Sequence, residues 1–238
     1  MRRLLLISNS TMHGREPLEH VLGDLRGFLG TVRELLFVPW ALADHDGYAA
    51  RIKSALARID VRVRSIHEAP NALAAVGSAA AVFVGGGNTF RLLDRLQRTG
   101  TAAAIAARAL AGMPYVGSSA GTGVATPTIR TTNDMPIVEP RSFAAMALVP
   151  FQINAHYLDP DPHSTHMGET REERLRQFHE EHETPVLGLR EGCWLCVDGE
   201  RMELRGSTRA RLFRRGRDPE EFTPVADLSF LLQSGASR

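Results

Sequence analysis

Ser119 stands inside Gly117-Ser118-Ser119-Ala120-Gly121, a G-x-S-x-G pattern in which a serine is a candidate nucleophile. A serine hydroxyl attacks a carbonyl only when a neighbouring base takes its proton, and the usual base is a histidine held in one tautomer by a carboxylate. Nine histidines are available. His13, His20, His45 and His67 fall in helices or loops of the first half. His179 and His182 form H-E-E-H, one residue short of the H-E-x-x-H zinc motif, and read as a solvated helix face. His156, His163 and His166 with Asp159 and Asp161 match no closed zinc spacing, and Pro160 and Pro162 make that segment a loop, so no metal is expected. His156, at the end of a strand in Gln152-Ile153-Asn154-Ala155-His156, is the best-placed base. Two carboxylates could orient it, Asp134 in T-N-D-M-P and Glu191 in L-R-E-G, and spacing does not choose between them.

The elements around these residues alternate strand and helix. Arg3 to Ser8 is a near-continuous apolar run, as for a strand buried on both faces. A helix is expected over Pro17 to Leu29, a strand over Arg33 to Pro39, a helix over Asp46 to Ile59, a strand over Val61 to Ile66 and a short helix over Asn71 to Val76. Ala80 to Val84 is the next strand and runs into Gly85-Gly86-Gly87-Asn88, with helices following over Thr89 to Arg98 and Ala102 to Leu110. Pro114 to Val116 then arrives as a strand, small residues follow and Ala120 to Ala125 can start a helix, so Ser119 would sit on a sharp strand-to-helix turn. That turn aims the Ala120 amide at a developing oxyanion, and Gly86 or Gly87 can supply a second amide from the glycine-rich turn. Thr126 to Val138 reads as an ordered loop, Leu148 to Asn154 as a strand and Gly168 to Glu183 as a charged helix. Short strands from Val186, Cys193, Arg201 and Arg209 read as antiparallel hairpins finishing the sheet edge. The expectation is one α/β domain over residues 1–238, a doubly wound and mostly parallel sheet with helices on both faces.

Gly85-Gly86-Gly87-Asn88-Thr89-Phe90 is not a dinucleotide fingerprint, because Phe90 stands where the last glycine is needed, and no P-loop is present. A net charge of +1 gives no electrostatic ground for nucleic acid or an anionic membrane, and the arginines from Arg201 to Arg217 are interleaved with apolar residues as on a solvated sheet face. Leu4 to Ile7 is too short for a signal-peptide core. The two cysteines, Cys193 and Cys196, fall on opposite faces of one strand and read as buried structural thiols, which together with the missing leader points to the cytoplasm.

Taken together, L-L-L-I-S-N-S-T at Leu4, V-G-G-G-N-T-F at Val84, G-S-S-A-G at Gly117, P-T-I-R-T-T-N-D-M-P-I-V at Pro127, Q-I-N-A-H-Y at Gln152 and G-E-T-R-E-E-R at Gly168 resemble peptidase E, the α-aspartyl dipeptidase family. The likeness runs from Met1 to about Trp194. It implies an α/β fold related to class I glutamine amidotransferases, hydrolysis of dipeptides with an N-terminal aspartate, no cofactor, and a homodimer. Carried onto this sequence it implies Ser119 as nucleophile, His156 as base and Asp134 or Glu191 as the third member, with Gly87 and Ala120 holding the oxyanion. A cation must read the aspartate side chain, Arg171 first and Arg130 second, and Glu169 would take the substrate's ammonium. Where the family carries a bulky residue before the nucleophile this chain has Ser118, which would place a second hydroxyl beside a wider site. Two other classes fit the same residues. One is a cyanophycinase-like hydrolase of another aspartyl amide; the other is a non-catalytic domain that binds an acidic ligand, against which the retained Ser119, His156 and carboxylates argue.

Overall fold

The computed structural model describes residues 1–163, Thr165 and residues 167–233. His166 and the tail after Gln233 lie outside the described residues. Strands β1 (Arg3–Ile7), β2 (Glu34–Val38), β3 (Arg62–Ser65), β4 (Val82–Val84) and β5 (Tyr115–Ser118) are parallel, in the spatial order β3-β2-β4-β5-β1. Their side chains alternate between two cores. Leu4, Leu6 and Tyr115 face one, while Leu5, Ile7 and Val116 face the other. Burial on both faces is why β1, β2 and β4 appear in the sequence as apolar runs, whereas the edge strand β3, Arg-Val-Arg-Ser, is largely exposed.

Helices α1 (Leu22–Leu29) and α2 (His45–Ala57) cover one face. The other is covered by α3 (Ala72–Ser78), α4 (Thr89–Arg98), α5 (Thr101–Leu110) and the short α6 (Ala120–Gly123). The expected helix from Pro17 begins instead as a 3-10 turn, Glu19–Val21, behind Leu18 at φ 60°. Asn88 caps α4 by accepting from the Arg91 amide at 3.0 Å, and the helix starts at Thr89 as its sequence signals.

The C-terminal part departs from expectation. Antiparallel β8 (Cys193–Asp198) and β9 (Arg201–Gly206) do complete the main sheet next to β1. By contrast β6 (Gln152–Ala155), β7 (Val186–Leu189), β10 (Ala210–Phe213) and β11 (Glu220–Phe222) form a separate four-stranded sheet, in the order β11-β10-β7-β6. Helix α7 (Arg171–Glu181) links β6 to β7, which pair in parallel. A parallel pair needs such a crossover, and its presence takes β7 out of any hairpin with its predecessor. The strand expected from Leu148 starts only at Gln152, after Pro150, which has no N–H to pair. His179 of the H-E-E-H stretch is buried, not solvated. Cys193 and Cys196 do face opposite cores as unpaired thiols.

One buried hydroxyl joins the two sheets. Ser8, just past β1, donates from Oγ to the Leu189 carbonyl at 2.8 Å and accepts from the His156 amide at 3.0 Å. Its neighbour Asn9 accepts from the Gly192 amide at 2.8 Å. Removing the Ser8 hydroxyl strands the His156 amide, while the Leu189 carbonyl keeps the Tyr157 amide at 3.0 Å, so Ser8→Ala should lower stability by about 1–3 kcal/mol. A fall in the urea midpoint at unchanged slope is the expected reading; an unchanged midpoint would mean that the sheets do not depend on this bridge.

Candidate active site

Ser119 occupies the turn between β5 and α6 with φ 53° and ψ −111°, a strained conformation for a residue with a side chain. The surroundings leave it no alternative. A Cβ on Gly121 would lie 2.0 Å from the Val84 carbonyl oxygen, and one on Gly117 2.6 Å from the Gly121 oxygen, so the turn packs backbone on backbone at both glycines. Thr122 ties it down, its Oγ1 donating to the carbonyls of Ile7 at 2.7 Å and Gly117 at 2.9 Å.

His156 follows β6 at φ 54°, so the second strained residue of the chain's chemistry comes from the second sheet. Its Nε2 is 2.9 Å from Ser119 Oγ, and its Nδ1 is 2.7 Å from Glu191 Oε1. A carboxylate only accepts, so Nδ1 carries the proton, and Nε2 is left with a lone pair aimed at the Ser119 hydroxyl. That is the arrangement a base needs. Glu191 sits in the loop between β7 and β8, held through its own carbonyl by Thr208 Oγ1 at 2.6 Å.

Asp134 is elsewhere. Its Oδ2 accepts from the Thr89 amide at 2.7 Å, Thr89 Oγ1 at 2.5 Å and Thr132 Oγ1 at 3.2 Å, which seats the charge on the N-terminus of α4. Of the two carboxylates left open by the sequence, the structure therefore brings Glu191 to His156 and assigns Asp134 to a helix end. No bond is made by Asp134 Oδ1 among the described residues.

Gly86 and Gly87 come within reach of Ser119. The Gly86 amide is already taken, donating to the Tyr48 hydroxyl at 2.8 Å, while burial pushes that phenol up to about 12. Among the described residues the amides of Gly87 and Ala120 have no hydrogen-bond partner. Gly87 holds φ 130°, and a Cβ there would meet the Ala41 oxygen at 2.6 Å.

Two cavities meet at Ser119 and His156. The first, of about 230 Å³, is walled by Ala120, Thr131, Thr132, Asn133, Asp134 and Arg171. Asn133 and Asn154 fix its loop wall, through Asn133 Nδ2 to the Ala155 carbonyl at 2.8 Å and Asn154 Nδ2 to the Thr131 carbonyl at 2.7 Å. Arg171 opens α7, and burial holds its guanidinium below its ordinary value, with Arg174 acting in the same direction and Asp134 against it. Its neighbours Arg174 and Arg176 pair with Glu169 and Glu172, but Arg171 has no ion pair among the described residues.

Three sequence expectations fall away from this site. Arg130 is exposed and stacks over Phe143 at 5.1 Å, lining neither cavity. Glu169 accepts from Gln177 at 2.7 Å and lines a neighbouring cleft that reaches Arg171 but neither Ser119 nor His156. Ser118 is fully buried and lines neither cavity, because its side chain points into the sheet when that of Ser119 points out. Asp159 is bound to Arg190 at 2.6 Å, and among the described residues no group of three or more His, Cys, Asp or Glu could hold a metal ion. Sequence reasoning also passed over Ser8, Asn9 and Tyr48, whose buried polar groups fix the backbone around the site; the Ser8-Asn9-Ser10 interruption straight after an apolar strand was the available signal.

Comparison with known proteins places this geometry. Peptidase family S51 matches residues 4–205. The chain belongs to peptidase family S51. Its relatives in the family include "Peptidase E" of Streptomyces coelicolor, 60% identical over 96% of this chain and 94% of that one. "Probable alpha-aspartyl dipeptidase" of Drosophila melanogaster is 51% identical over 98% of each. Both alignments run past Trp194, where the motifs read from the sequence stopped. The fold of a peptidase from an acI-B1 Actinobacterium superposes with a TM-score of 0.73 over 97% of each chain at 15% identity. As a member of S51 the chain is a serine-type peptidase.

The two carboxylates should separate experimentally. Glu191→Ala removes an exposed side chain that orients the base, so kcat should fall by about 10²–10⁴ with little loss of thermal stability. Asp134→Ala leaves the Asn88 cap but removes the carboxylate from the Thr89 amide at the start of α4, and should cost about 0.5–2 kcal/mol of stability. Equal stability losses with no selective effect of Glu191→Ala on kcat would contradict the assignment.

Proposed function

We propose that this protein is a dipeptidase that hydrolyses Asp-Xaa dipeptides through an acyl-enzyme on Ser119. The names of its S51 relatives support the substrate class. The observation that carries the reading is the half-buried Arg171 guanidinium, without an ion pair among the described residues, in the same small cavity as Ser119 and His156. An aspartate side chain would supply it with a carboxylate in bidentate form. The substrate's ammonium then has Asp134 as its acceptor, through the unused Oδ1.

In this reading Ser119 attacks the aspartyl carbonyl as His156 Nε2 takes its proton, and Glu191 stabilises the imidazolium. The amides of Gly87 and Ala120 receive the oxyanion. His156 returns the proton to the departing amine, and water repeats the sequence on the ester. No cofactor enters any step. No helix among the described residues is long and apolar enough to cross a membrane. The unpaired Cys193 and Cys196 support a reducing, cytoplasmic setting, and a homodimer without nucleic-acid or membrane partners completes the proposal.

Asp-Leu, Glu-Leu, Asn-Leu and acetyl-Asp-Leu test it. Only Asp-Leu should turn over well, and Arg171→Met should lower its kcat/KM by about 10²-fold, the worth of a charge-assisted bond of ~1.5–3 kcal/mol. Equal cleavage of Glu-Leu and Asn-Leu, or unchanged discrimination in Arg171→Met, would overturn the proposal.

A further inference from the structure

The second cavity at Ser119, of about 440 Å³, shares Ser119, His156 and Asp134 with the Arg171 pocket and otherwise has its own lining. Besides Ser119, His156, Gly86 and Gly87 it is lined by Pro17, Leu42 and Ile52, which give an apolar wall, and by Tyr48 and Arg51 of α2. Arg51 is exposed, stacks its guanidinium over the Tyr48 ring at 5.4 Å from the centroid, and has no ion pair among the described residues. The acids flanking it on α2 are committed: Asp44 accepts from the Gly47 amide at 2.8 Å, and Asp46 is 2.8 Å from His67. The hydroxyl of the same Tyr48 holds the oxyanion loop at Gly86, so the ring spaces Arg51 at a fixed remove from the scissile position.

Resting on the dipeptidase reading, we infer that this cavity is the leaving-residue subsite and that Arg51 binds the free α-carboxylate of the departing amino acid. The chemistry follows from the substrate. When the acyl residue fills the Arg171 side, the leaving residue must lie on the other side of Ser119, its side chain on the apolar wall. Its carboxylate stands one residue length, about 3.5 Å of chain, beyond the scissile nitrogen. A longer peptide or an amide has no charge at that point. Selection of dipeptides over longer chains then comes from pairing that charge with a cation held on an aromatic face. Thr11, which lines the same cavity, offers a hydroxyl to the same carboxylate.

The test compares Asp-Leu with Asp-Leu-amide and aspartyl p-nitroanilide. Native enzyme should prefer Asp-Leu over its amide at least tenfold in kcat/KM, chiefly through KM. Arg51→Met should bring that ratio close to one, Arg51→Lys should keep part of it, and Arg51→Glu should favour the amide. A native-size ratio in Arg51→Met, or equal loss on all three substrates, would overturn the inference by making Arg51 a bystander or only a prop for Tyr48. Failure of the native enzyme on Asp-Leu itself would instead sink the dipeptidase reading, and this inference with it.

Discussion

The bond between His156 Nε2 and Ser119 Oγ crosses from one sheet to the other, and the rest of the structure is arranged so that it can form. Ser119 belongs to the parallel main sheet, while His156 and the strand before Glu191 belong to the smaller one. A nucleophile and its base must stay within a hydrogen bond's length, so two independently built sheets have to keep register to within a few tenths of an ångström. The first core does the coarse work, because Ile153, Leu187 and Leu212 of the small sheet pack with Leu4, Leu6 and Tyr115 of the large one. Polar contacts do the fine work. Ser8 and Asn9, at the carboxyl end of β1, bind both the His156 backbone and the Glu191 loop. Buried bonds of this kind act strongly because neither partner has water as an alternative.

Strain is placed where the chemistry is. Ser119 and His156 both have positive φ, and each is held there by contacts that a relaxed backbone would break. For Ser119 the device is the close approach of Gly121 to Val84; for His156 it is the hydroxyl of Ser8 under its amide. The result is a hydroxyl and an imidazole presented from two otherwise regular strands where two cavities meet. Each cavity carries one arginine without an ion pair among the described residues. A substrate with a carboxylate at either end of the scissile amide matches that layout.

Much of this was legible in the sequence, and the reasons differ by element. The parallel strands were plain because burial on both faces writes an apolar run, and α4 was plain to the residue because Asn88 caps it. The nucleophile and base followed from the glycines around Ser119 and from the strand ending at His156. The second sheet was hidden, because the sequence gives strand positions but not partners, and Val186 to Leu189 looks the same whether it pairs with a hairpin neighbour or with β6. Asp134 and Glu191 were indistinguishable because both are rim carboxylates in turns; only the loop path of Thr131 to Asp134 along β6, fixed by the Asn133 and Asn154 amides, sends Asp134 to Thr89. Arg171, Arg130 and Glu169 could be separated only by the rotation of α7 and the packing of Phe143.

The central claim is that Ser119 is made nucleophilic by His156 across the sheet boundary. Labelling with a fluorophosphonate, followed by intact mass and peptide mapping, addresses it without assuming a substrate. One adduct per chain on Ser119, absent in Ser119→Ala and formed at least a hundredfold more slowly in His156→Ala, is the result the geometry requires. No adduct, an adduct on Ser118, or undiminished labelling in His156→Ala would contradict it.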